Sequence, residues 1–215
     1  MKTVVYVDGF NLYYRALKKT NFKWLNLLEL CKNSLPSNLD IQEINFYTAR
    51  VSNKINPSAP RDQQVYINAL KSTKVVNIHL GSFKIRDKVA KLKEPLEFHP
   101  RARTCAISPN PRFVKISAAE EKGSDVKLGV HLVRDGFQGK YEHAVIITND
   151  VDLAEPLNIV KNELGLEVTL LKPCNRALDT LDRCATNLLY ITQDALKNSQ
   201  FPEQISPQII KPSDW

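Results

Sequence analysis

The chain has 215 residues, of which 43% are hydrophobic and 25% are charged, and it carries a net charge of +7. These proportions are ordinary for a folded globular protein, so they exclude a chain that is disordered throughout. No apolar run approaches the ~20 residues that a membrane-spanning helix requires, so we expect no membrane partner.

In chain order, a β-branched run at 3–8 predicts a buried strand that ends at Asp8-Gly9. Helices are predicted at 11–19 and 25–33, a strand at 41–51, a helix at 61–71 and a strand at 75–80. Beyond a basic segment at 84–115, the pattern predicts a helix at 124–135, ending at Gly136, and a strand at 144–148. A helix at 153–164, a strand at 167–171 and a helix at 178–196 complete the series.

Strands that alternate with helices indicate an α/β fold, with a mostly parallel sheet of about five strands and helices on both faces. We expect one domain over 1–198, with the basic segment 84–115 as an insertion. The remaining residues, 199–215, contain three prolines and predict an extended or loosely packed tail.

The positive charge is concentrated in the basic segment, which holds nine basic and three acidic residues, whereas the rest of the chain is close to neutral. Its prolines predict a long irregular loop, and its phenylalanines offer rings for base stacking. One interpretation is a solvated surface loop. The other is a clamp that holds a phosphate backbone, with these basic residues as the predicted substrate contacts: Lys84, Arg86, Lys88, Arg101, Arg103 and Arg112.

Acidic residues follow the predicted strands or open the next helix. Asp8 ends the first strand, Asp150 and Asp152 follow the strand at 144–148, and Asp125 opens the helix before that strand. In a parallel sheet these positions meet at one edge, where ligands bind. Carboxylates held close together repel unless a cation lies between them, and oxygen ligands suit Mg²⁺ or Mn²⁺. Each aspartate singly is also compatible with a turn or a helix N-terminus, but we do not expect all of them to have only that role at the same edge of the sheet.

A family resemblance rests on three motifs: YVDGFN at 6–11, EKGSDVKL at 121–128 and TNDVDL at 148–153. In order and spacing they resemble the motifs of the NYN domain, a family of the PIN-like ribonuclease superfamily. The resemblance implies a Rossmann-like sheet and a metal-dependent nuclease acting on RNA. It makes Asp8, Asp125, Asp150 and Asp152 the metal-coordinating or water-activating residues, and Asn11 a polar residue of the site.

The third motif departs from the family pattern, because Thr148 and Val151 replace small polar residues. Both aspartates remain, so the predicted metal site is retained while its polar lining is weakened. Glu120 and Glu121 are second-rank candidates, and a solvated charge ahead of the helix is the favoured interpretation of both.

Several motifs are absent from the sequence. There is no GxGxxG after the first strand, no GxxxxGK[ST] and no GxSxG, so dinucleotide, P-loop and α/β-hydrolase chemistry lack support. The four cysteines form no CxxC pair, which favours a reducing compartment and predicts a cytoplasmic protein.

Three functional hypotheses remain open. The first is a metal-dependent endoribonuclease, and the second is a non-catalytic RNA- or nucleotide-binding regulatory module. The third is a small-molecule enzyme that uses the same pocket, since fold does not dictate function. The sequence is compatible with a homo-oligomer and does not determine the oligomeric state.

Overall fold

A computed structural model describes residues 1–52, 57–92, 112–213 and 215. The strands are β1 (Lys2–Asp8), β2 (Asp40–Ala49), β3 (Val76–Lys91), β4 (Phe113–Lys122), β5 (His143–Ile147), β6 (Glu167–Lys172), β7 (Asn187–Tyr190), β8 (Gln204–Ser206) and β9 (Ile209–Ile210). The α-helices are α1 (Gly9–Leu12), α2 (Leu27–Ser34), α3 (Ala59–Ser72), α4 (Ser124–Phe137), α5 (Ala154–Asn158), α6 (Asp179–Asp182) and α7 (Gln193–Asn198). Helix α1 continues into a π-helical segment (Tyr13–Leu17), and a second one (Ile159–Glu163) follows α5.

Within the described ranges, seven strands form the main sheet in the order β4-β3-β2-β1-β5-β6-β7. All neighbours are parallel except β4, which runs antiparallel to β3. The chain first builds outward from β1 through β2 and β3, and later returns to place β5 on the other side of β1. Strands β1 and β5 therefore flank the point where the order of the sheet reverses.

The side chains of β1 alternate between two hydrophobic cores, as the period of a strand requires. Val5 and Val7 pack with α2, α3 and α7 on one face, whereas Val4 and Tyr6 pack with α4 and α5 on the other. The predicted α/β class, a mostly parallel sheet covered by helices on both faces, is confirmed. In the part of the chain that the structure describes, no helix is long and apolar enough to cross a membrane.

The basic segment does not begin as the irregular loop that its prolines predicted. Strand β3 runs 16 residues, through Lys84, Arg86 and Lys88, and pairs with β4 from Ser82↔Lys122 to Lys91↔Phe113. Apolar and basic residues largely alternate at 83–89 with the period of a strand, and pairing with β4 continues β3 into the basic segment despite the prolines farther along. Residues 93–111, which include Arg101 and Arg103, lie outside the described residues.

The prediction of one largely helical segment at 178–196 is wrong for the middle of that range. Two short helices, α6 and α7, flank strand β7, which pairs with β6 from Thr169↔Asn187 to Lys172↔Tyr190. The apolar run at 188–191 is compatible with either period, and pairing to the open edge of β6 determines the strand. This strand and the β3–β4 hairpin bring the sheet to seven strands rather than about five.

Helix α4 buries its leucines, whereas two of the valines that recur at helical spacing along it (Val126, Val130 and Val133) face solvent. Leu128 and Leu132 are fully buried, whereas Val126 is 70% exposed and Val130 is 58% exposed. The helix continues one residue past the expected stop at Gly136, and a Cβ at Gly136 would lie 2.8 Å from the Tyr141 hydroxyl. The spacing predicted the helix correctly, but the position of the sheet decided which side of it was covered.

The segment after residue 199 packs on the core instead of extending away from it. Phe201 is buried, the Trp24 indole donates a hydrogen bond of 2.8 Å to the Pro202 carbonyl, and Trp215 packs edge-on to Trp24. Strands β8 and β9 form a small hairpin there. Large aromatic contacts thus hold a segment whose prolines alone indicated loose packing.

Candidate functional site

Asp8, Asp125 and Asp150 converge at the edge of the sheet where β1 and β5 end. One carboxylate oxygen from each of the three lies within 4.8 Å of the others. Asp8 is buried, and the other two are half-buried. The site therefore occupies the reversal point of the sheet, which is the place where open α/β sheets bind ligands.

Two glycines, Gly9 and Gly123, allow the backbone to place Asp8 and Asp125 at this edge of the sheet. Gly9 begins α1 directly after Asp8, and a Cβ there would lie 2.6 Å from both the Phe46 ring and the Tyr47 carbonyl oxygen. Gly123, with φ of +93°, makes the left-handed turn that leads into α4, so that Asp125 falls in the first turn of the helix.

The Asp8 carboxylate is oriented by two hydrogen bonds. The Asn11 backbone N–H donates to one oxygen at 2.9 Å, and the Thr148 hydroxyl donates to the other at 3.0 Å. The same hydroxyl accepts a 3.0 Å bond from the Asp150 backbone N–H. Thr148 thus links Asp8 to Asp150. Although threonine departs from the family pattern at this position, its hydroxyl still provides a polar contact to the site.

Asn11 joins the ends of the two central strands. Its side-chain oxygen accepts a hydrogen bond of 2.9 Å from the Asn149 backbone N–H. The Asn149 amide is held in turn by the Cys174 backbone, whose N–H donates to the Asn149 side-chain oxygen at 3.2 Å. Asp150 therefore follows a residue whose main chain and side chain are both fixed.

Asp152 is placed differently from the other three predicted ligands. Its side chain is exposed, it is not part of the three-carboxylate group, and its backbone N–H donates to Asp150 at 3.1 Å. Asp150 acts as the cap of a short 3₁₀ turn (Val151–Leu153) through this bond. The role of Asp152 as a metal ligand stays a prediction.

Glu121 belongs to the site, although the sequence favoured a solvated charge there. It is the penultimate residue of β4, lines the same cleft as the three aspartates, and accepts a 3.1 Å hydrogen bond from the Ser124 backbone N–H. Glu121 pairs with Phe83 across the β3–β4 hairpin, and this pairing places it at the cleft. The local sequence does not predict such a contact.

The carboxylates share a cleft of about 420 Å³ with aromatic and cationic side chains. Its acidic and amide members are Asp8, Asn11, Glu121, Asp125 and Asp150. The remaining members, none of which was predicted as a site residue, are Phe10, Tyr14, Arg15 and Phe83.

The predicted basic contacts are not part of this lining among the residues described. Arg86 and Lys88 are exposed on β3, on the opposite face of the hairpin from Phe83, because side chains alternate along a strand. Lys84 precedes Arg86 by two residues on β3, and Arg112 immediately precedes β4. Their contact with a substrate stays a prediction.

The electrostatics of the group favour a bound cation. Burial, together with the charges of Asp125 and Asp150, raises the pKa of Asp8 to about 6, against the opposing hydrogen bonds from Asn11 and Thr148. Burial and the charges of Glu121 and Asp150 also raise the pKa of Asp125. A divalent ion among these oxygens would offset the repulsion, so the donor set fits Mg²⁺ or Mn²⁺.

We expect the stability of wild type relative to Asp8→Asn to rise as the pH falls through about 6, the value to which burial raises the pKa of Asp8. The folded state then takes up a proton that the unfolded state, with an ordinary pKa, binds only near about pH 4. Thermal unfolding of both proteins in EDTA, between about pH 7.5 and pH 5, measures this difference. A difference that does not change with pH contradicts the assignment.

Comparison with known proteins adds three findings. The NYN domain family matches residues 2–192 of the chain. A curated relative, 6-hydroxy-3-succinoylpyridine 3-monooxygenase HspA of Pseudomonas putida (strain DSM 28022 / S16), is 28% identical over 241 aligned positions, which cover 100% of this chain and 75% of the relative. The crystal structure of VPA0982, a protein of unknown function from Vibrio parahaemolyticus RIMD 2210633, is similar in fold. It has a TM-score of 0.55 and 14% identity, and the match covers 90% of this chain and 94% of that one.

Proposed function

The chain belongs to the NYN domain family, a family of PIN-like nucleases, and on that premise we propose that it is a metal-dependent ribonuclease that hydrolyses RNA phosphodiester bonds. One observation carries the proposal: the oxygens of Asp8, Asp125 and Asp150 lie within 4.8 Å of one another at the reversal point of the sheet. The aspartates of the three sequence motifs thus form a group that could bind a divalent metal ion, which supports the proposal.

Asp8, Asp125 and Asp150 would hold the divalent ion, which when bound supplies neutralising charge and a more acidic water for attack at phosphorus. The chain's own contribution is rigidity. Asn11 and Thr148 hold the carboxylate of Asp8 through hydrogen bonds of 2.9 and 3.0 Å, so little reorganisation is needed when substrate binds.

Holding the substrate requires positive charge outside the carboxylate group. Among the residues that the structure describes, the cleft lining carries four acidic residues and one basic residue, Arg15, and such a surface by itself repels a phosphate chain. We infer that Arg15 and the basic residues of the β3–β4 hairpin, with Arg101 and Arg103 beyond the described range, contact the RNA backbone. Binding that depends on such contacts weakens as salt concentration rises.

The test is cleavage of end-labelled single-stranded RNA by the wild-type protein, with Mg²⁺ or Mn²⁺ and in EDTA. We expect cleavage that requires the metal and turns over more than once per protein molecule. Salt-sensitive RNA binding without any cleavage contradicts the proposal and favours the non-catalytic RNA-binding module.

A second candidate is an oxygenase that acts on a small aromatic heterocycle. It is favoured by the relative named as a pyridine monooxygenase, which aligns with the whole chain, and by the aromatic rings of Phe10, Tyr14 and Phe83 in the cleft. Incubation with 6-hydroxy-3-succinoylpyridine, O₂ and a two-electron donor tests this candidate. Consumption of the pyridine without RNA cleavage would favour it over the nuclease.

A further inference from the structure

Three aromatic rings beside the carboxylates have an arrangement that the core does not require. Phe10 and Tyr14 are nearly parallel, with ring centroids 6.5 Å apart and planes 25° apart. Phe83, from the β3–β4 hairpin, packs edge-on to Phe10 with centroids 5.5 Å apart. Tyr14 is 58% exposed, so much of its ring is accessible to a ligand.

Cationic side chains accompany these rings on the same segment. The Lys18 ammonium lies 4.8 Å from the centroid of the Tyr14 ring, and Arg15 lines the cleft next to Tyr14. Aromatic faces interleaved with basic residues are the combination with which proteins bind single-stranded nucleic acids, since every base has a face to stack and every nucleotide a phosphate.

The rings lie close to the carboxylates because both belong to one stretch of chain. Asp8 precedes Phe10 by two residues and Tyr14 by six, so the rise of the α1 and π-helical segment separates Asp8 from Tyr14 by about 9 Å. Phe10, Tyr14 and Phe83 all border the cleft that contains Asp8, Asp125 and Asp150.

Resting on the function proposed above, we propose that Phe10, Tyr14 and Phe83 form a stacking site for an unpaired nucleobase adjacent to the scissile phosphate. The incoming base displaces Lys18 from the exposed face of Tyr14, because base stacking is stronger than a solvent-exposed cation–π contact. The released ammonium then contacts the RNA backbone. A base inside a duplex has both faces covered by its neighbours, so the site selects single strands.

The experiment follows fluorescence quenching of a 2-aminopurine-labelled oligoribonucleotide by the full chain, with Ca²⁺ present so that a dication neutralises the carboxylates. We expect wild-type protein to quench the single strand and to leave the same label in a duplex unchanged. Tyr14→Leu should weaken binding about tenfold and abolish the quenching. Tyr14→Phe restores the ring and should recover most of that loss.

Phe137→Leu is the matched control. Phe137 is 68% exposed at the far end of α4, about 18 Å along the helix axis from Asp125. The Phe137→Leu variant should therefore bind the oligoribonucleotide and quench its label like wild type. The proposal is overturned if wild type does not quench the label, or if Tyr14→Leu and Phe137→Leu behave alike.

The two proposals fail in different ways. Quenching that depends on Tyr14, in a protein that does not cleave RNA with Mg²⁺ or Mn²⁺, supports the stacking site and rejects the nuclease. Metal-dependent cleavage with quenching unaffected by Tyr14→Leu supports the nuclease and rejects the stacking site.

Discussion

Asp150→Asn is expected to lower the rate of RNA cleavage by about 10³-fold, because a cation at this site is worth several kcal/mol to the transition state. Asp150 contributes one of the three oxygens that lie within 4.8 Å of one another, and asparagine removes its charge while preserving its size. Asp125→Asn should have an effect of the same order. Single-turnover cleavage in Mg²⁺, with circular dichroism to verify folding, measures both variants.

Two further variants make the comparison specific. Asp40→Asn alters an exposed aspartate at the opposite end of β2 and should cleave like wild type. Asp152→Asn should lose less activity than Asp150→Asn, since the Asp152 side chain is exposed and outside the carboxylate group. Equal cleavage rates for wild type and Asp150→Asn would show that the carboxylate group takes no part in catalysis.

Lys172→Met is expected to lower the free energy of unfolding by about 3 kcal/mol, because it leaves a partly buried carboxylate without its cation. Lys172 is 0% exposed at the end of β6, and its ammonium donates to Asp182 at 2.7 Å and to the Arg176 carbonyl. Asp182 also accepts a 3.1 Å bond from the Leu178 backbone N–H. The ion pair therefore holds the loop that contains Cys174, and Cys174 fixes Asn149 beside Asp150.

Urea unfolding compares this variant with two others. Lys140→Met breaks an ion pair with Asp135 in which the lysine side chain is 50% exposed, so the loss should stay below about 1 kcal/mol. The double variant Lys172→Met, Asp182→Leu replaces the buried pair by apolar groups and should recover most of the stability. If Lys172→Met unfolds at the same urea concentration as wild type, the pair does not stabilise the loop.

Much of the candidate site could be predicted because its residues stand at local boundaries in the sequence. The β-branched run that ends at Asp8, and the run that ends before Asp150, are buried strands whose ends share one edge of a parallel sheet. The same reasoning identifies Asp125, since it lies at the start of the helix that returns the chain to β5.

Other members of the cleft gave no local signal. Glu121 was placed by the register of β4 against β3, and Tyr14 reads as an ordinary helical aromatic until its exposure beside the cleft is known. Lys172 reads as a surface lysine after a strand, although it is fully buried. In each case the decisive contact joins residues from separate elements.

The net charge of +7 and its concentration at 84–115 were properties of the sequence alone, as were the α/β class and the three aspartates at the site. Periodicity and strand ends are local, so a linear pattern contains them. The hairpin that carries part of the charge, the seventh strand of the sheet and the aromatic rings beside the carboxylates were decided by tertiary structure. Strand pairing and burial depend on which distant segments meet, and the free energy of those contacts overrides local propensity.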